Sequence, residues 1–129
     1  MEFLLQHVNL LCVDLKKQSS FISFLFDVEI HFDKNLHYFL LGGTRFNLIQ
    51  GYTASKGALA HFELRVQGAG DLNHFKQKFE LYVYKTQSSE LKTSFNQSSF
   101  EFEDPSGNLW KINSPNERII LPSRDATLM

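Results

Sequence analysis

Apolar and polar residues alternate with a period of two over residues 5–13. Val8, Leu10 and Cys12 fall on one face, and His7, Asn9 and Leu11 on the other. That is the pattern of a half-buried strand. Beyond Asp14, a residue type suited to capping a helix, the period changes, and Leu15, Ile22, Leu25 and Phe26 recur at helical spacing. Val28–Phe32 and Leu36–Leu41 then read as a hairpin turning at Asp33-Lys34-Asn35, and Gly42-Gly43 leads into a strand over Thr44–Gln50. The first half is thus predicted as β-α-β-β-β.

Tyr52–Leu59, with its Gly, Ser, Thr and Lys, reads as a connector, after which the order repeats. Leu59–Val66 is predicted as a strand. Asp71 is placed to cap a helix carrying Leu72, Phe75 and Phe79 on one face, and Leu81–Tyr84 reads as a short strand. Residues 85–99 are rich in Ser, Thr and Gln and are expected to form a mobile loop, with a strand fragment as one option. Phe100–Glu103 alternates again. Asp104-Pro105-Ser106-Gly107 supplies turn residues, and the last strand carries Trp110 and Ile112 on one face and Leu109, Lys111 and Asn113 on the other. The halves align with each other: His7-Val-Asn-Leu with His61-Phe-Glu-Leu, and Gly43-Thr-Arg-Phe-Asn-Leu with Gly107-Asn-Leu-Trp-Lys-Ile. Asn47 then corresponds to Lys111, and Phe46 to Trp110.

The block Phe100–Ile112, with its Asp-Pro-x-Gly turn, resembles the closing hairpin of the vicinal oxygen chelate superfamily, the glyoxalase, bleomycin-resistance and extradiol-dioxygenase group. The resemblance implies an α+β fold: two tandem β-α-β-β-β modules forming curved mixed sheets around a cleft. It implies a single domain over 1–129, with modules at 5–51 and 59–113 and a C-terminal tail at 114–129. In metal-dependent members each module gives two ligands to the cleft, one early in its first strand and one in its last. Those positions are His7 and Asn47 in the first module and His61 and Lys111 in the second. Neutral imidazoles suit a divalent metal. Asn47 offers only an uncharged carbonyl oxygen, and an ammonium at Lys111 has no lone pair to give. Glu63, two residues beyond His61 on the same face, could complete a set of His7, His61 and Glu63. The competing expectation for Glu63 is an ion pair with Arg65 or Lys111, and those two cations could alternatively hold an anionic ligand.

The resemblance therefore implies a small-molecule binding protein, with an anion as one option for the ligand and no tightly bound metal, in the manner of the bleomycin-binding members. The candidate contacts are His7, Asn9, Asn47, His61, Glu63, Arg65 and Lys111. The alternative is a metal-dependent lyase, isomerase or dioxygenase using His7, His61 and Glu63; a third reading is a regulatory module with a filled cleft. Asn47 and Lys111 at the carboxylate positions leave open whether the chain is an enzyme. A homodimer is also implied, with the first module of one chain facing the second module of its mate.

Composition narrows the remaining classes. The chain has 129 residues and a formal net charge of −1, without the basic excess expected of a nucleic-acid binder. Its 13 Phe residues imply a bulky aromatic core, to which Trp110 is also assigned. The lone cysteine, Cys12, lies in an apolar strand and excludes a disulfide framework. No apolar run is long enough to span a membrane, and no basic stretch precedes a signal-like segment, so a cytoplasmic protein is expected. His31 and His37 flank a hairpin, His74 lies on the polar side of a helix, and Gly42-Gly43 precedes a strand, not the helix that a phosphate loop needs.

Overall fold

The computed structural model describes residues 1–51 and 60–115. The Tyr52–Leu59 connector and the apolar Ile119-Ile120-Leu121 segment of the tail lie outside the described residues. In chain order the elements are β1 (His7–Cys12), α1 (Leu15–Phe26), β2 (His31–Asp33), β3 (Leu36–Leu41), β4 (Thr44–Gln50), β5 (His61–Arg65), α2 (Ala69–Thr86), β6 (Thr93–Phe95), β7 (Ser99–Glu103) and β8 (Leu109–Asn113). They form two four-stranded mixed sheets, ordered β1-β4-β3-β2 and β5-β8-β7-β6. In each sheet the first strand runs parallel to the last strand of its module, and the remaining pairings are antiparallel. The α+β fold of two β-α-β-β-β modules expected from the sequence is the fold observed.

Local chemistry sets the element ends. Asp14 Oδ1 accepts from Lys17 N at 3.1 Å, closing the N-terminus of α1. Lys34 and Asn35, at φ 51° and 65°, make the two-residue turn between β2 and β3. Asp71 acts one turn later than expected: the N-cap of α2 is Gly68, and Asp71 Oδ2 accepts from the Gly68 amide at 3.2 Å.

One expectation for the second module needs correction. Leu81–Tyr84 belongs to α2 and is not a strand. Leu72, Phe79 and Tyr82 are all buried on one side of the helix, so burial at helical spacing outweighs the strand preference of Tyr-Val-Tyr. The strand that completes the module is instead β6, inside the polar 85–99 stretch. All three of its residues are exposed at the sheet edge, which hides the usual alternation. The turn beyond it is defined by Asn96 Oδ1, which accepts from Ser98 N and Ser99 N, each at 2.9 Å.

The core lies between the two modules and is shared by them. Leu10, Phe39, Phe46 and Leu48 come from the first sheet, Phe100, Phe102, Trp110 and Ile112 from the second, and Phe21, Ile22, Leu25, Leu72, Phe79 and Tyr82 from the helices. Phe46 stacks on Phe39 with ring centroids 5.0 Å apart and meets Phe62 and Trp110 of the other sheet at 5.5 and 6.1 Å. From α1, Phe21 reaches Tyr82 at 5.1 Å and Phe102 at 6.0 Å, while Phe26 reaches Trp110 at 5.2 Å. Cys12 is fully buried here, and burial aided by the nearby Asp104 carboxylate pushes its thiol up to about 12. It therefore stays protonated and inert.

The Asp-Pro-Ser-Gly turn fastens one module to the other. Gly107, at φ 91°, lets its amide return to Asp104 O at 2.9 Å. The buried Asp104 carboxylate accepts from Ser106 N, Asn108 N and Trp110 Nε1 at 2.9, 2.9 and 3.0 Å, and from Gln18 Nε2 of α1 at 2.7 Å. Ser106 Oγ donates to Gln18 Oε1 at 2.8 Å and accepts from Val13 N at 3.0 Å, and Asn108 Nδ2 donates to Leu11 O at 3.2 Å. Gln18, fully buried, has both ends of its amide satisfied by the other module.

Candidate functional site

Because the inner face of each sheet is committed to the shared core, the polar residues of alternate positions point away from it. The ladders define rows across these outward faces. In the first sheet His7 pairs with Arg45 and Arg45 with Leu40; one step along, Asn9 pairs with Asn47, Asn47 with Tyr38 and Tyr38 with His31. In the second sheet His61 pairs with Leu109, while Glu63 pairs with Lys111 and Lys111 with Glu101. The internal repeat read from the sequence is thus a repeat of ladder positions. His7 and His61 occupy equivalent sites, as do Asn9 and Glu63, Asn47 and Lys111, and Arg45 and Leu109.

The first face is preorganised. Asn47, only 4% exposed, donates through Nδ2 to Asn9 Oδ1 at 3.0 Å, and its Oδ1 accepts from Arg45 Nε at 2.8 Å. The Arg45 guanidinium carbon lies 3.6 Å from the centroid of the Tyr38 ring, a cation–π contact. His31 stacks on the same tyrosine at 5.0 Å. His7 is exposed beside this network.

The second face is more open. Lys111 Nζ approaches Glu101 Oε2 at 3.9 Å, and Glu63 Oε1 accepts from Asn113 Nδ2 at 3.2 Å. This corrects the expected pairing of Glu63 with Arg65 or Lys111. Lys111 stands between two carboxylates in the ladder and approaches the one on β7, leaving Glu63 to an amide. His61, Glu63 and Arg65 are exposed.

The two rows lie on different sheets. His7, Asn9 and Asn47 lie together on one sheet and His61, Glu63, Arg65 and Lys111 on the other. Among the described residues no three His, Cys, Asp or Glu side chains are grouped closely enough to hold a metal ion. A divalent metal of the kind the fold can carry fits this donor set poorly. Asn47 Oδ1 is already engaged by a guanidinium, and Lys111 brings positive charge where a carboxylate would be needed. Arg45 and Tyr38 were not foreseen from the sequence. The period of two does place Arg45 on the face of Asn47, and Tyr38 on that of Leu36 and Leu40, but the cross-strand partners became known only with the register. A separate groove between α2 and β6, lined by Lys76, Phe79, Val83, Leu91, Thr93 and Phe95, contains none of the expected site residues.

No protein-family profile matches the sequence, and no curated protein matches it. Solved structures do match the fold. A fosfomycin resistance protein, FosX, from Listeria monocytogenes superposes with a TM-score of 0.72 and 16% identity, over 90% of this chain and 94% of that one. FosX from Mesorhizobium loti gives 0.71 and 17%, over 93% and 99% of the two chains. Lactoylglutathione lyase from Agrobacterium tumefaciens gives 0.62 and 19%, over 84% and 91%. With the paired modules, the parallel closing strands and the Asp-Pro-x-Gly turn, these likenesses establish that the chain has the fold of the vicinal oxygen chelate superfamily.

Proposed function

We propose that the chain binds a small anionic molecule between outward sheet faces and holds no divalent metal there. The observation that carries this reading is Lys111, an ammonium at the ladder position where metal-dependent members of the superfamily place a carboxylate, approaching the Glu101 carboxylate at 3.9 Å. Its counterpart Asn47 is likewise tied to a guanidinium. Cations at or beside both aligned positions favour an anion and disfavour Mn(II) or Zn(II).

The runner-up is a metal-dependent lyase, isomerase or dioxygenase using His7, His61 and Glu63. It draws support from Listeria FosX, which has been solved in complex with Mn(II) and sulfate. Thermal melting separates the two. A native-state ligand at 100 times its Kd adds about 2.7 kcal/mol, which for a chain of this size is a rise of roughly 10 °C. We expect Zn, Ni, Fe or Mn to raise the melting temperature by less than about 2 °C on that scale. A rise near 10 °C that vanishes in His7→Ala and His61→Ala would establish the metal reading instead.

The same reading pairs two chains. The first-module row and the second-module row lie on different sheets, so a face from each of two protomers closes a cleft that one protomer leaves open. Leu40, 53% exposed beside Arg45, and the exposed Phe3, Leu4 and Leu5 ahead of β1 offer apolar surface for the pairing. Sedimentation should give about twice the chain mass of 14.9 kDa. A single species at the chain mass would reject the shared cleft.

A further inference from the structure

We propose that Arg45 is the anion anchor of the first-module face and that its ligand is a small oxyanion, a carboxylate or a phosphoryl group, gripped end-on by the guanidinium. The inference rests on the binding reading above and adds to it a residue and a chemical class. Three observations carry it.

First, the side chain is already fixed. Its Nε donates to Asn47 Oδ1 at 2.8 Å, its guanidinium carbon lies 3.6 Å from the Tyr38 ring centroid, and Asn47 is itself buried and held by Asn9. Much of the entropy that an arginine loses on gripping a ligand is lost here in advance. Second, the binding edge is free. With Nε engaged by Asn47, the two terminal amino groups have no hydrogen-bond acceptor among the described residues, and no described carboxylate lies within ion-pair distance. Third, the place is right. Arg45 lies on the row of first-module candidates, as the ladder partner of His7 on β1 and in direct contact with Asn47. The planar pair of amino groups matches two oxygens of a carboxylate or phosphoryl group, a geometry that a lysine ammonium lacks.

The competing role for Arg45 is packing alone, with the guanidinium serving to cover Tyr38. Titrating the full-length chain with inorganic phosphate, and separately with acetate, at constant ionic strength distinguishes the two. The readout is the backbone amide resonances of β1 and β4, present in parent and variants alike, joined in the parent by the 15N resonance of the Arg45 side-chain Nε–H. A saturable shift is expected, with affinity at least tenfold weaker in Arg45→Ala and weakened to a lesser degree in Arg45→Lys, which keeps the charge and loses the fork. Backbone amide spectra establish that both variants are folded. Tighter binding of phosphate assigns a phosphoryl ligand, and tighter binding of acetate a carboxylate. Saturable binding that survives Arg45→Ala and shifts only β5 and β8 resonances around Lys111 would overturn the anchor and leave metal-free anion binding standing. If neither anion saturates, the anchor falls, and the melting experiment with metals decides the wider reading independently.

Discussion

Asp104→Ala should destabilise the chain by about 3–5 kcal/mol, the range for breaking a buried, hydrogen-bonded charge network. The alanine removes the acceptor for Trp110 Nε1, Gln18 Nε2, Ser106 N and Asn108 N at once, and all four donors lie in a region closed to water. Asp104→Asn tests the charge separately. One oxygen can still serve the two turn amides, but the new amino group then faces the Trp110 and Gln18 donors, so a loss of more than about 2 kcal/mol is expected from two buried donors left unpaired. Urea titration followed by the fluorescence of Trp110, the only tryptophan, measures both variants. A loss below 1 kcal/mol in Asp104→Ala would mean that water replaces the carboxylate and that the turn is not what fastens the modules together.

Phe21→Ala is expected to have a similar effect by a different route. Phe21 is fully buried on α1, yet its ring packs on Phe79 and Tyr82 of α2 and on Phe102 of β7. Truncating it deletes contacts that only the second module supplies, and leaves a cavity where helices and sheet meet. Large-to-small changes of this kind typically cost about 3–5 kcal/mol, a large part of the 5–15 kcal/mol that holds most domains folded. The change is in the first module, whereas Trp110 is in the second. A single unfolding transition, shifted equally by circular dichroism and by Trp110 fluorescence, is therefore expected. Two separated transitions would show that the modules unfold independently, contrary to a shared core.

Most of the fold was legible because its determinants are local. Asp14, the Lys34-Asn35 turn and the alternation in β1, β4 and β8 each act within a few residues. The internal match of His7 with His61 and of Asn47 with Lys111 translated directly into equivalent ladder positions. What was misread or left open lies where tertiary contacts overrule local preference. Tyr82 is buried against Phe21, which keeps Leu81–Tyr84 helical despite its strand-like composition. β6 is an edge strand of exposed residues, held by pairing with β7 and carrying little hydrophobic signal of its own. The candidate site was half legible for the same reason. Its first-strand residues could be named by alignment, but Arg45 over Tyr38 and Lys111 beside Glu101 are cross-strand relations, which one-dimensional spacing does not encode.

The fastening of the first module by the late turn also bears on how the chain is made. Its hydrogen bonds join residues 86, 88 and 97 positions apart, spanning most of the sequence. Closing loops of that length carries an entropy cost before any contact repays it, which slows folding. On the ribosome, Gln18 emerges long before Asp104 and Ser106 exist. Through most of translation the first module presents Phe21, Phe39 and Phe46 with nothing from the second module to cover them. Such surface is what chaperones hold and what promotes aggregation at high expression. Slowing synthesis or lowering temperature should therefore raise the soluble yield of this chain more than that of a protein of equal stability whose contacts are local.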